Sequence, residues 1–202
     1  MKYTTATLSL ISATLSLAAP TITTNNLAAR EDQAFLGFAL PSIIKNHNIA
    51  TNLNAEDDKT STIRSGAFET STLYQIPIPP VAAGKTCALK IRAGHLGTGD
   101  SVQGEKAMDI FRSSFTDLAT LDMGNLRDVQ LARVRFNAAT DEYDFDRVGF
   151  ANPAVESFPC PAGQTLHWES VAVGDFDVNV VEQATFVIEG SDVPFGLSVG
   201  WW

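Results

Sequence analysis

The chain has little of what most reaction centres are built from. Its 202 residues hold three histidines, two cysteines and three methionines. His47, His95 and His167 stand far apart, with no His-Glu-X-X-His or paired-histidine spacing, so no metal site is expected. No serine lies in a Gly-X-Ser-X-Gly setting, which excludes a nucleophile elbow. Basic residues are also scarce, 14 against 23 acidic ones. That balance repels phosphate and argues against nucleic acid or anionic membranes as partners, while leaving neutral polymers such as glucan or chitin open. There is no long hydrophobic run. The apolar stretch from Ala6 to Leu17 is short for a membrane span, and no apolar tail of the lipid-anchor kind is found. The Asn-X-Ser/Thr acceptor pattern is missing, so N-glycosylation is not expected.

What is present reads first as an address. Lys2 precedes the modest apolar run, and small residues follow at Ser16, Ala18 and Ala19. This is a signal-peptide pattern with cleavage after Ala18 or Ala19; the competing reading is a buried amphipathic first helix. Cleavage would remove Lys2 and no acid, leaving 13 basic residues against 23 acidic. In a secreted chain the two cysteines, Cys87 and Cys160, are more simply a disulfide than a redox or metal pair. Bridging them constrains the unfolded chain by roughly 4 kcal/mol in the chain-entropy model.

Residues 20–60 differ from the rest. Thr, Asn and Ala dominate up to Arg30, and Asn46, Asn48, Asn52 and Asn54 lead into Glu56-Asp57-Asp58. This composition predicts a flexible N-terminal arm or propeptide, with one apolar island at Phe35–Leu40. From residue 61 to 202 short alternating runs take over. Cys87, Leu89 and Ile91 share a face opposite Lys90 and Arg92. Ala132, Val134 and Phe136 alternate with Arg133 and Arg135, then a turn leads to Tyr143 and Phe145, a hairpin pattern. Pro77, Pro79 and Pro80 predict an edge strand or a crossing loop. Residues 117–128 fit either a short helical turn or a long crossing. The expected fold is all-β, an antiparallel β-sandwich of Ig-like or jelly-roll-like type with one disulfide.

Several residues are candidates for chemistry or binding. His167 and Glu169 share a strand face at i, i+2. Asp141, Glu142, Asp144 and Asp146 make the densest acidic run. Oxygen ligands of that kind suit calcium, and paired carboxylates suit a glycosidase, but an acidic strand face answering Arg133 and Arg135 explains the run more simply. The glycine-rich stretch Gly94–Gly104 resembles a dinucleotide fingerprint only loosely and lacks a βαβ setting; no cofactor is expected. Trp168 and Trp201 fall on apolar faces and read as core. His167, Trp202 and Tyr143 remain as a possible surface for binding.

Four segments also carry a family resemblance: Ile76-Pro77-Ile78-Pro79, Gly84-Lys85-Thr86-Cys87-Ala88-Leu89, Phe158-Pro159-Cys160-Pro161-Ala162-Gly163 with Trp168-Glu169, and Gly196-Leu197-Ser198-Val199. Together they resemble the C-terminal domain of the fungal But family, named after proteins that bind a ubiquitin-like-activating enzyme. The resemblance runs from Ser65 to Trp202. It implies a β-rich domain of secreted or cell-surface fungal proteins and no catalytic residues. The activating enzyme is intracellular, which conflicts with the signal peptide. The expectation is therefore a secreted non-enzymatic binding or structural module of the cell wall or extracellular space, with wall polysaccharide or an extracellular protein as partner. The alternatives are a wall-polysaccharide hydrolase using Asp144, Asp146 or Glu169, and an effector-like protein ligand.

Overall fold

Alternation of apolar and polar side chains decides the architecture. In the computed structural model, residues 35–202 are described apart from 57–58, 67, 94–99, 175–178 and 189–190. The expected signal peptide and His95 lie outside the described residues. Fifteen strands form: β1 (Gly37–Ala39), β2 (Ile43–Asn48), β3 (Leu53–Glu56), β4 (Thr60–Ile63), β5 (Thr70–Pro77), β6 (Thr86–Arg92), β7 (Ser101–Val102), β8 (Ala107–Ser113), β9 (Arg127–Asn137), β10 (Glu142–Phe145), β11 (Phe158–Pro159), β12 (Thr165–Val173), β13 (Asn179–Glu182), β14 (Ala184–Ile188) and β15 (Ser191–Trp201). The strand pairings among the described residues are antiparallel, as expected.

The strands make one twelve-stranded sheet in the order β1-β15-β6-β10-β9-β8-β12-β5-β2-β3, with β11 on β6 and β14 on β15. A second sheet runs β4-β13-β7. The large sheet coils, so its two halves share one core. Cys87, Leu89 and Ile91 of β6 and Leu197, Val199 and Trp201 of β15 pack with Tyr74 and Ile76 of β5, Ile110 of β8, Val134 of β9 and Trp168 of β12. The β9–β10 hairpin has the expected register, with Asp144 opposite Arg135 and Tyr143 opposite Phe136.

The proline run behaves differently from an edge strand. Pro77 closes β5, an interior strand held by β12 and β2. Its neighbours Pro80–Ala82 form a 3-10 turn that carries the chain over to β6. Proline suits both places because it tolerates a strand end and the first position of a helical turn.

The expected flexible arm is corrected over its second half. Residues 37–56 supply β1, β2 and β3, and the folded unit runs Ala34–Trp202. The asparagines that suggested solvated turns serve as joints instead. Asn46 Nδ2 donates to the Thr60 carbonyl at 3.1 Å, and its Oδ1 accepts from the Thr62 amide at 3.0 Å and the Thr72 hydroxyl at 2.8 Å. One amide thus ties β2 to β4 and β5, using both the donor and the acceptor that the Asn side chain carries. Residues 117–128 are a crossing rather than a helix. Residues 117–126 belong to a strap, residues 114–126, that leaves β8, and residues 127 and 128 open β9.

Glycine is required at the edge. Gly37 lies against the Trp201 indole and Gly200 beneath the Phe35 ring, with no room for a Cβ at either. The aromatic residues of the apolar island therefore close over the end of the sheet.

Candidate functional site

Two places gather polar side chains. The first is the outer face of β2, β5 and β12. The ladder aligns Ile43, Gln75 and His167 in one row, and Lys45, Leu73 and Glu169 in the next. His47 lies opposite Ser71. Alternation alone would give these side chains to solvent, yet Glu169 is 0% exposed and Lys45 and His47 are 3% exposed. The strap covers them. Its Phe115 and Leu118 pack on Leu73, with Ile43 and Leu121 alongside, as a second small core.

Most polar groups of that face help to hold the strap. Lys45 Nζ donates to the carbonyls of Ala119 at 3.0 Å and Leu121 at 3.2 Å, and lies 3.5 Å from the Asp122 carboxylate. Asn54 Nδ2 donates to the carbonyls of Leu121 and Gly124, while its Oδ1 meets His47 Nδ1 at 2.7 Å. Gln75 Oε1 accepts from the Leu118 amide at 2.8 Å. Glu169 accepts from the Ser71 hydroxyl at 2.6 Å, Asn125 Nδ2 at 3.0 Å and, in a two-pronged pair, Arg127 Nε at 2.8 Å and Nη2 at 2.9 Å. Arg127 also stacks on Phe111, 4.8 Å from the ring centroid, and Phe111 is the cross-strand neighbour of Glu169. Hydrogen bonding to Glu169 raises the pKa of Arg127 against the cost of its burial. Such fork geometry satisfies both carboxylate oxygens at once.

His167 closes this face. Its ring lies 4.6 Å from that of Phe115, and its Nε2 is buried without a partner among the described residues. Burial pushes its pKa below the usual histidine value, opposed by Asp117 and by a bond to the Phe115 backbone. The arrangement immobilises a loop. It leaves Glu169 no open oxygen for a substrate.

The other sequence candidates are separated. Tyr143 is 7% exposed and packs against Phe136 at 5.4 Å, so it is corrected from surface to core. It shares the inward face with Phe145, as the hairpin alternation dictates. Trp168 and Trp201 are buried as expected. Trp202 is half-buried, edge-on to Phe35 at 5.6 Å. In the acidic run, Glu142 pairs with Arg92 and lies 3.7 Å from Lys90, and Asp144 accepts from Asn137 Nδ2 at 2.9 Å. Asp146 accepts from the Val148 and Gly149 amides and pairs with Arg135 at 3.2 Å. The Gly149 amide, with Arg135 behind it, lowers the pKa of Asp146. Arg133 turns instead to Asp109 of β8, in a two-pronged pair at 2.7 and 2.8 Å. Among the described residues no group of three His, Cys, Asp or Glu gathers as a metal site.

The second place is beside the disulfide. Cys87 and Cys160 are bonded, with Cα atoms 4.9 Å apart. Phe158 pairs with Cys87 and Pro159 with Thr86, so the bridge ties β6 to the approach of β12. Pro161 and Ala162 then turn through Gly163, at φ 74°, whose amide donates to the Ile78 carbonyl. Cys87 is fully buried, whereas Cys160 borders an open groove of about 480 Å³ between residues 84–86 and 157–160. Sequence reasoning singled out the cysteine and missed the groove, because its two walls lie about seventy residues apart along the chain. No family model matches this chain, and neither does any curated protein or solved structure.

Proposed function

We propose that this chain is a secreted, non-enzymatic β-sandwich module that binds or structures an extracellular surface, with a fungal cell wall as the setting that the But-family resemblance implies. The observation that carries this reading is the employment of the outer-face residues. Lys45, His47 and Glu169, the side chains best suited to acid–base chemistry, are engaged: Lys45 and Glu169 bond the strap directly, and His47 bonds Asn54, which holds it in turn. Asp144 and Asp146, the other carboxylates of a hydrolase reading, answer Asn137, Arg135 and turn amides. The disulfide supports an oxidising compartment, since such bonds persist outside the reducing cytosol. Among the described residues no helix is long and apolar enough to cross a membrane.

The test is retention of the purified, oxidised protein on insoluble chitin, β-glucan and cellulose. Retention on at least one polymer is expected, reversed by the matching soluble oligosaccharide. Passage through all three sinks the wall-binding form of the proposal. Hydrolysis of any of them, abolished by Glu169→Gln without loss of the fold, would establish the enzyme in its place.

A further inference from the structure

We infer that the groove beside the disulfide is a saccharide-binding site, recognising a pyranose chain through Lys85, Thr86, Ser157 and Pro159, with Trp202 alongside. This rests on the binding-module reading above and assigns it a place. Three observations lead there.

The first is polar supply. Lys85, Thr86 and Ser157 line one groove, and none of their side chains is hydrogen-bonded or ion-paired to another described residue. Elsewhere on the fold the contrast is plain: Arg92, Arg112, Arg127, Arg133, Arg135 and Arg147 each have a carboxylate partner. Two hydroxyls and an ammonium offer both donors and acceptors, the pairing that a sugar's hydroxyl groups need.

The second is apolar shape. Pro159 forms part of the wall and pairs with Thr86, which carries the same face on to Trp202, with which it exchanges two backbone bonds at 3.1 and 3.2 Å. Residues opposed in this way project from the same side of the sheet. Beyond Trp202 lies Phe35, with Lys90 Nζ 5.6 Å from its centroid. The apolar CH face of a pyranose packs on surfaces of this kind, and a volume of about 480 Å³ accommodates a small-molecule-sized segment.

The third decides between a sugar and an extended peptide. A peptide added to a sheet draws its affinity from free backbone donors and acceptors. Along the Lys85–Thr86 wall they are taken. The Lys85 amide donates to Ala82 and its carbonyl accepts from Cys160, while both backbone groups of Thr86 bond Trp202. On the other wall Pro159 has no amide hydrogen. Recognition along the first wall is left to side chains. The walls are also fixed before a ligand arrives, because the disulfide and the β6–β11 pairing lock them together, which spares ordering entropy on binding.

The experiment titrates the oxidised full chain with chitohexaose, laminarihexaose and cellohexaose, followed by calorimetry and by tryptophan fluorescence. Saturable binding to at least one is expected, with a fluorescence change that Trp202→Phe removes. Lys85→Ala combined with Ser157→Ala should weaken it by about tenfold or more, as loss of a charged and a neutral hydrogen bond implies. The melting temperature should stay unchanged, and a distant Phe68→Ala control should bind normally. Binding that ignores the groove substitutions overturns the site but leaves the binding-module reading standing. Failure to bind any of the three, together with passage through all the polymers, overturns both. Polymer retention with no oligosaccharide binding removes the groove alone.

Discussion

The strap-covered face and the disulfide groove are both polar, and they use polarity in opposite ways. Under the strap, the buried carboxylate and ammonium are satisfied by the protein itself: Glu169 accepts four hydrogen bonds, and Lys45 and Asn54 supply donors to loop carbonyls. Beside the disulfide, Lys85, Thr86 and Ser157 are left to water or a ligand. A polar group taken from water must be matched, and one left in water need not be. Density of charged or hydrogen-bonding residues therefore marks structure in one region and recognition in the other.

Removing a partner from under the strap breaks the comparison most sharply. Arg127→Ala should destabilise the fold by about 3 kcal/mol, because it leaves a fully buried carboxylate with only Ser71 and Asn125 as donors. The urea midpoint measures this; a shift worth less than about 1 kcal/mol would show that the strap holds without the pair. Reduction of Cys87–Cys160 comes next, with roughly 2–4 kcal/mol lost. Intact mass should rise by two hydrogens and the melting temperature should fall. An unchanged mass would remove the bridge from the account, and with it the rigid groove.

A pH series probes the strap more gently. His167 has its pKa lowered by burial, so the unfolded chain binds the proton more readily than the native one. Its contribution is complete above the ordinary histidine value of about 6.5 and is lost as pH falls below it. Protection from hydrogen exchange in residues 114–126, after correction for the intrinsic pH dependence of amide exchange, should fall from about pH 7 to pH 5, and His167→Gln should flatten that dependence. Equal protection at both ends of the range would count against it. The smallest stability effect belongs to the groove. Lys85→Ala should move the unfolding midpoint by less than about 0.5 kcal/mol, although it removes a proposed ligand contact. A larger loss would mean that Lys85 serves the fold, and the contrast between the regions would fail.

Much of the fold was legible in period-two alternation. β6, the β9–β10 hairpin and the end of β15 showed their buried faces in sequence, and the two cysteines named their own partner. Tyr143 shows how a correct pattern was put to the wrong use: its alternation with Phe145 placed it inward, and its aromatic ring alone suggested a surface. β2 and β3 were obscured because Asn46, His47, Asn48 and Asn54 have low strand preference and strong turn preference. Context overrides both when an amide bridges backbone groups that no strand pairs, as Asn46 and Asn54 do.

The sequence by itself determined the class of this protein. Alternation, turn residues and two cysteines specify antiparallel strands closed by a disulfide, because those signals act between neighbours or through a single covalent choice. Only the tertiary structure decided which outward faces meet water. Glu169 reads as solvent-facing by alternation and is sealed by a strap that begins more than forty residues earlier, whereas Lys85 reads as an ordinary turn lysine and sits on a groove whose other wall is Ser157–Cys160. Burial of a second sheet face is set by whatever segment crosses it, and no local periodicity encodes that crossing.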